Sequence, residues 1–316
     1  MLCVLAAAVG LGTRHASFAA TPTVIYSTSF EVAENYNIDN DLVGQNGWVG
    51  FGTGGNGLVT NYFEGMGQQA YIGFSPPTDS SDSLTIWRPI NFNPIPANKP
   101  IVTFSVLMMI NDSSDTVNGP FDEFRWSIYN SAGNRLFTLI FDNHTWNIDY
   151  LLDEASPPFR STGKKFQTFT IYRLVVGMDF QRNQWSAMLD NVPLVVDQPI
   201  TTRGQALDFG DADAVWFIRT PGSPGDNFMV FDDYLVTAEE DFVPPPLLET
   251  VTRLGDGSML LRLHGENNVS YAIEGTVNLS SWIPLKTNTP TDGTFEYLDT
   301  TAGQSPLKFY RARVVQ

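Results

Sequence analysis

The sequence predicts an all-β protein built of two sandwich modules, and three observations carry that prediction. Of 316 residues, 42% are hydrophobic and 13% aromatic but only 16% charged, with 26 Gly and 20 Pro distributed along the chain. Such a chain is too apolar for disorder and too rich in breakers for a helical bundle. Strand-length runs of Phe, Ile, Val, Thr, Tyr and Trp recur between clusters of Gly, Pro, Asn and Asp, the pattern of short strands joined by turns. Finally, Val243-Pro244-Pro245-Pro246 interrupts the series, and consecutive prolines remove backbone donors and impose an extended spacer. Residues 20–243 and 248–316 are therefore expected to be separate modules joined by a linker at 244–247.

In chain order, residues 2–12 form an apolar run too short to span a bilayer, followed by Ser17-Phe18-Ala19. That combination predicts a signal peptide over 1–19, although a basic n-region is missing. The sole cysteine, Cys3, falls inside it, so the mature chain is expected to hold no disulfide, no zinc–thiolate site and no cysteine nucleophile. No later run reaches the roughly 20 apolar residues of a membrane helix. Strands are then expected at 23–30, 84–92, 101–110, 124–129, 136–141, 146–152, 166–176, 184–189, 192–196, 214–219 and 228–237. Turns are signalled at Ser131-Ala132-Gly133-Asn134 and Asp190-Asn191. So many strands cannot remain one open sheet, and two packed sheets hide most of the edges. The Gly-rich stretch 44–57 reads as a loop without the strand-to-helix setting that phosphate binding needs. Beyond the prolines, six strands are expected at 248–254, 258–263, 270–275, 282–286, 294–298 and 308–314, enough for a small β-sandwich.

Charge separates the modules further. Residues 20–246 carry 27 acids against 11 bases and residues 247–316 carry 7 against 6. The first module should repel nucleic acid, so no nucleic-acid partner is expected.

Several segments in fixed order carry a resemblance. Tyr26-Ser27-Thr28-Ser29-Phe30-Glu31 is followed by Gly44-Gln45-Asn46-Gly47-Trp48, then Tyr172-Arg173-Leu174-Val175-Val176, Trp185, Leu189-Asp190-Asn191-Val192 and Phe231-Asp232-Asp233-Tyr234-Leu235-Val236. This series resembles the concanavalin A-like lectin and glucanase jelly rolls, including laminin-G-like domains and carbohydrate-binding modules, over residues 24–240. Tyr271-Ala272-Ile273-Glu274, Asn278-Leu279-Ser280-Ser281-Trp282, Asp299 and Phe309-Tyr310-Arg311-Ala312 are similar to a C-terminal β module of many large secreted bacterial proteins. The first resemblance implies a concanavalin A-like jelly roll with a structural Ca2+ held by Glu31 and Asp232, backbone carbonyls completing the shell. Strand alternation adds that either Asp232 or Asp233 points into an apolar layer, where an unpaired carboxylate is costly. The alternation groups Asp232 with Phe228, Val230 and Tyr234.

Catalytic signatures are absent from the sequence. The E-x-D-x-x-E strand of a retaining glucanase does not occur. Asp122-Glu123 is a consecutive pair that points to opposite faces if extended. His144 and His264 sit in turn-like settings without metal-ligand spacing or a nucleophile elbow. If Phe124, Trp126 and Ile128 face inward, Arg125 and Tyr129 face out, and the same parity exposes Asn147 and Asp149. Arg125, Tyr129, Asn147 and Asp149 thus form a candidate polar–aromatic platform for a polysaccharide or cell-surface glycan. The expected function is non-catalytic glycan binding or adhesion, on a sheet face or on rim loops around 45–57, by a protein exported to the bacterial surface or beyond. Two alternatives stand beside it: a glycoside hydrolase or polysaccharide lyase with scattered catalytic groups, and a structural envelope protein that binds no sugar.

Overall fold

The computed structural model describes residues 22–79, 81–111, 121–241 and 245–315. The expected signal peptide, with Cys3, and Pro244 of the expected linker lie outside the described residues. Among the described residues no helix is long and apolar enough to cross a membrane, and the helical content is two three-residue 3-10 turns. The chain divides into two compact units, the first closing at Asp241, where the prolines alone suggested 243.

Among the described residues the first unit has fifteen strands: β1 Thr23–Thr28, β2 Val49–Phe51, β3 Asn56–Thr60, β4 Gln68–Gly73, β5 Ser83–Trp87, β6 Ile101–Asn111, β7 Glu123–Tyr129, β8 Arg135–Asp142, β9 Asn147–Leu152, β10 Arg160–Lys165, β11 Tyr172–Asp179, β12 Gln184–Leu189, β13 Val192–Pro199, β14 Asp211–Phe217 and β15 Phe228–Glu239. One sheet runs β13-β12-β11-β6-β15-β4-β3, with β1 also on β15, and the other runs β10-β9-β8-β7-β14-β5-β2. Pairing is antiparallel and neighbours such as β6/β15 and β7/β14 are distant in sequence. This is the jelly-roll sandwich that the alternating runs predict.

Alternation builds the core between the sheets. Phe124, Trp126 and Ile128 of β7 and Phe137, Leu139 and Phe141 of β8 meet Val102, Phe104 and Val106 of β6 and Phe231 and Tyr234 of β15. The rings of Phe104 and Tyr234 lie 5.0 Å apart and those of Trp126 and Phe231 5.3 Å apart, contacts whose loss on truncating Trp126 would cost roughly 3–5 kcal/mol. The β12/β13 turn places Asp190 and Asn191 at φ 47° and 65°, the left-handed pair that a two-residue hairpin needs.

Several elements differ from the sequence reading. The Gly-rich stretch expected to be a loop contains β2 and the start of β3. β4 was hidden by Gln68 and Gln69, which are buried but satisfied: Gln68 Nε2 donates to the Phe30 carbonyl at 2.7 Å and Gln69 Nε2 to that of Gly67 at 3.0 Å. β10 was also missed, β11 begins at Tyr172 rather than 166, and β14 begins at Asp211 rather than 214.

The second unit contains all six expected strands, β16 Leu247–Arg253, β17 Met259–His264, β18 Tyr271–Thr276, β19 Ile283–Asn288, β20 Thr294–Asp299 and β21 Phe309–Val314. They form two three-stranded sheets, β16-β17-β20 and β19-β18-β21, around Leu261, Leu263, Tyr271, Ile273 and Phe295.

Candidate functional site

The outward face of the seven-stranded sheet carries the site. Because Ala212, Ala214 and Trp216 turn into the core, Asp211, Asp213, Val215 and Phe217 turn out. The register sets Asp211 opposite Tyr129 and Asp213 opposite Ser127 on β7. On the other side Val215 pairs with Thr85 of β5, Phe51 of β2 with the same Thr85, and Val49 with Trp87. Phe51, Thr85, Trp87, Tyr129, Gly133, Asp211 and Asp213 consequently line an open groove of about 290 Å3.

Local sequence fixes one wall. Asn130 Oδ1 accepts from the Ala132 and Asn134 amides, closing the β7/β8 turn, and Asp208 Oδ1 accepts from the Ser131 amide at 2.7 Å and its hydroxyl at 2.9 Å. Gly210 lies against this turn, where a Cβ would stand 2.5 Å from the Asn130 carbonyl carbon. That close approach brings Asp211 beside Tyr129 and requires glycine.

Asp213 is 5% exposed, and among the described residues its Oδ1 meets no hydrogen-bond partner. Burial, then the adjacent Asp211 charge, pushes the Asp213 carboxyl well up, and burial likewise raises Asp211. Retention of a proton by one of the two carboxyls relieves both the burial cost and the like-charge repulsion. The Tyr129 phenol is raised by burial and by the charge of Asp213, and among the described residues its hydroxyl has no hydrogen-bond partner.

Of the platform expected from sequence, all four residues lie on this face, but only Tyr129 lines the groove. The Arg125 guanidinium is taken up by Glu123 at 2.6 Å and stacks 3.9 Å over the Phe217 ring. Asn147 and Asp149 stand on β9, across β8 from β7, beside Asp142 and Ile140, and line neither this groove nor its extension toward Arg135. Sequence reasoning missed Asp211, Asp213, Trp87 and Phe51. The alternation Asp211-Ala212-Asp213-Ala214-Val215-Trp216 was the available signal, and starting the strand at 214 concealed it.

Asp122 and Glu123 do split across the sheet. Fully buried Asp122 accepts from Trp216 Nε1 at 2.9 Å and from the Arg219 and Gly225 amides at 3.0 and 2.9 Å, so it organises the loop before β15. His144 lies in the β8/β9 turn, its amide bonded to Asp142 Oδ1, and His264 sits 3.2 Å from Glu249.

Around Glu31 and Asp232 the backbone departs from simple alternation. Asp233, at φ 47°, interrupts the β15/β6 register between Asp232 and Leu235. The bulge shifts parity, so Tyr234 joins Phe231 in the core while Asp232 stays on the side of Phe228 and Val230. Grouping Asp232 with Tyr234 was therefore wrong. Asp232 is fully buried and among the described residues its Oδ2 has no donor; burial, then the charges of Asp233 and Glu31, pushes its carboxyl up to about 7. Glu31 Oε1 accepts from the Gln68 amide at 3.1 Å, and Gly67 leaves room for it, since a Cβ there would fall 2.0 Å from that oxygen.

No protein-family profile and no curated protein matches the sequence. Among solved structures the chain is similar to a sialidase at 6% identity and a TM-score of 0.44, covering 68% of this chain and 18% of that one. It is similar to the carbohydrate-binding module CBM66 from Bacillus subtilis at 12% identity and a TM-score of 0.38, covering 63% and 99%. A third likeness is to alginate lyase Aly36B, solved with an alginate trisaccharide, at 12% identity and a TM-score of 0.42, covering 68% and 98%. At these identities the likeness concerns the β-sandwich and assigns no activity.

Proposed function

We propose that the protein binds carbohydrate, without cleaving it, in the groove on the outer face of the seven-stranded sheet. One observation carries this reading: an aromatic wall of Phe51, Trp87 and Tyr129, whose phenol hydroxyl has no partner among the described residues, shares an open groove with half-buried Asp211 and buried Asp213. Sugar rings stack their C–H faces on aromatic rings, and their hydroxyls can donate to Asp213 and accept from Tyr129, giving the orphaned oxygen a partner. The pair does hold the proton a general acid needs. However, among the described residues no other carboxyl lines the groove, so nothing faces the pair across a sugar bond as nucleophile faces acid in retaining hydrolases. Binding is the better fit.

The test is affinity electrophoresis of the full chain through gels containing a panel of polysaccharides. Retardation by at least one polymer is expected, weakened about tenfold by Trp87→Ala, equivalent to about 1.4 kcal/mol of stacking. Unchanged mobility across the panel favours the structural alternative, and loss of the polymer during the run favours the enzyme.

A structural calcium belongs to the same proposal. Asp232 with its donorless oxygen, the nearby Glu31 carboxylate and neighbouring backbone carbonyls are hard oxygen ligands of the kind Ca2+ takes, and the ion would neutralise a buried charge. Chelation is expected to lower the Tm of the first unit, and Asp232→Ala to abolish that response; a Tm indifferent to calcium would remove the ion from the account. Export to the cell surface or beyond completes the reading, and N-terminal sequencing of protein recovered outside the cell, beginning at Ala20, would support it.

A further inference from the structure

We infer that the sugar chain held in this groove is acidic, with its carboxylate or sulfate group seated against Arg135 and Arg203. The inference rests on the carbohydrate-binding reading and names the ligand class of that site. The groove does not end at Tyr129 and Gly133: the same two residues line a second cavity of about 360 Å3, which also takes in Arg135, Asp153, Glu154, Arg203 and Gln205. The two cavities share Tyr129 and Gly133, the first with an aromatic wall and the second lined mostly by polar groups, an arrangement suited to successive units of one chain.

Charge pairing distinguishes the two arginines. The first unit has eight arginines beyond residue 21, and five are spent on carboxylates: Arg125 on Glu123, Arg160 on Glu154, Arg173 on Asp233, Arg182 on Asp179 and Asp241, and Arg219 on Asp142. Arg88 lies over the Tyr26 ring and donates to the Pro89 carbonyl. The remaining two, Arg135 and Arg203, line this cavity without a carboxylate partner among the described residues. Arg135 gives one N–H to the Leu152 carbonyl at 3.1 Å, and among the described residues the Arg203 guanidinium makes no hydrogen bond. A guanidinium offers five donors in a planar fork matched to carboxylate and sulfate oxygens, so most of that capacity faces the cavity unused.

The acids in the cavity do not answer them. Asp153 accepts from the hydroxyls of Thr201 and Thr202 and from the Thr202 and Arg203 amides. Glu154 holds Arg160 through both oxygens, at 2.9 and 2.5 Å. Since the module carries 27 acids against 11 bases, it repels polyanions at long range, and any acceptance of an acidic sugar must come from a local device such as this one. Asp211 and Asp213 next door, which bring no positive charge, then meet the hydroxyls of the adjoining unit rather than its acid group.

Titration calorimetry of the full chain at fixed calcium tests this with oligomers of polygalacturonate, the same oligomers after carboxyl reduction, and sulfated carrageenan oligomers. Expected are binding of an acidic ligand, affinity for its carboxyl-reduced form lower by about tenfold or more, and a similar loss for Arg135→Gln or Arg203→Gln on the acidic ligand alone. Arg203 is exposed, so Arg203→Gln should retain the wild-type Tm and keeps the test valid if Arg135→Gln is destabilised. Tight binding of the sulfated oligomers with the same arginine dependence supports the inference and identifies the anion as sulfate. Equal affinity for acidic and reduced oligomers, insensitive to both substitutions, overturns it while leaving carbohydrate binding intact. Failure of every acidic oligomer overturns it as well, and where affinity electrophoresis also finds no neutral ligand the binding reading falls with it.

Discussion

At Asp213 a carboxyl is buried on a sheet face beside Asp211, and the folded protein keeps a proton there that the unfolded chain releases near pH 4. The sign follows: stability falls as pH rises from about 4 through the raised values and is level above them. Asp213→Asn removes the like charge, so its Tm is expected to exceed that of the wild type at pH 8, with the gap closing toward pH 4 in melts across that range. A gap independent of pH would mean that the pair is not sharing a proton. Tyr129 was legible from strand parity because its neighbours Phe124, Trp126 and Ile128 are plainly apolar. Asp211 and Asp213 were not, because two acids before a strand read as loop; only the register with β7 shows them to be part of β14.

Elements are held by a few polar residues that sequence alone presents as surface charge. Asp122 joins β7 to the loop after β14 by three bonds, including one from the core Trp216, and Asp122→Ala would strand those donors. A loss of roughly 3–5 kcal/mol is expected in denaturant unfolding, and a loss below about 1 kcal/mol would show that the loop is pinned elsewhere. The Asp233 bulge is the converse case: its left-handed backbone reverses the parity of every later residue in β15, which no alternation rule can anticipate. In the second unit the recognised segments turn out to be structural. Glu274, 4% exposed, pairs with Arg311 at 2.7 Å and Arg313 at 2.8 Å, and Arg311 stacks 4.3 Å from the Trp282 ring. Asn278 closes its turn by accepting from the Ser280 and Ser281 amides, and Asp299 accepts from Tyr310 at 2.8 Å. These residues hold the module together, so its motif was visible in sequence while its role was not.

For the whole molecule, the two units enclose separate cores, and calorimetry is expected to resolve two transitions. Glu274→Gln should lower only the smaller one; a single cooperative transition shifted as a whole would contradict independent cores. The all-β class and the two modules were legible because apolar periodicity and the proline run are properties of long stretches. The groove was not, because it is assembled from β2, β5, β7 and β14, whose neighbours are set by crossing connections rather than by sequence order. The most direct test of the central claim is a crystal structure of the protein with a bound oligosaccharide. Sugar density along Trp87, Tyr129 and Asp213 is the predicted result; an oligosaccharide seated on the outer face of the eight-stranded sheet, with this groove empty, would contradict the account.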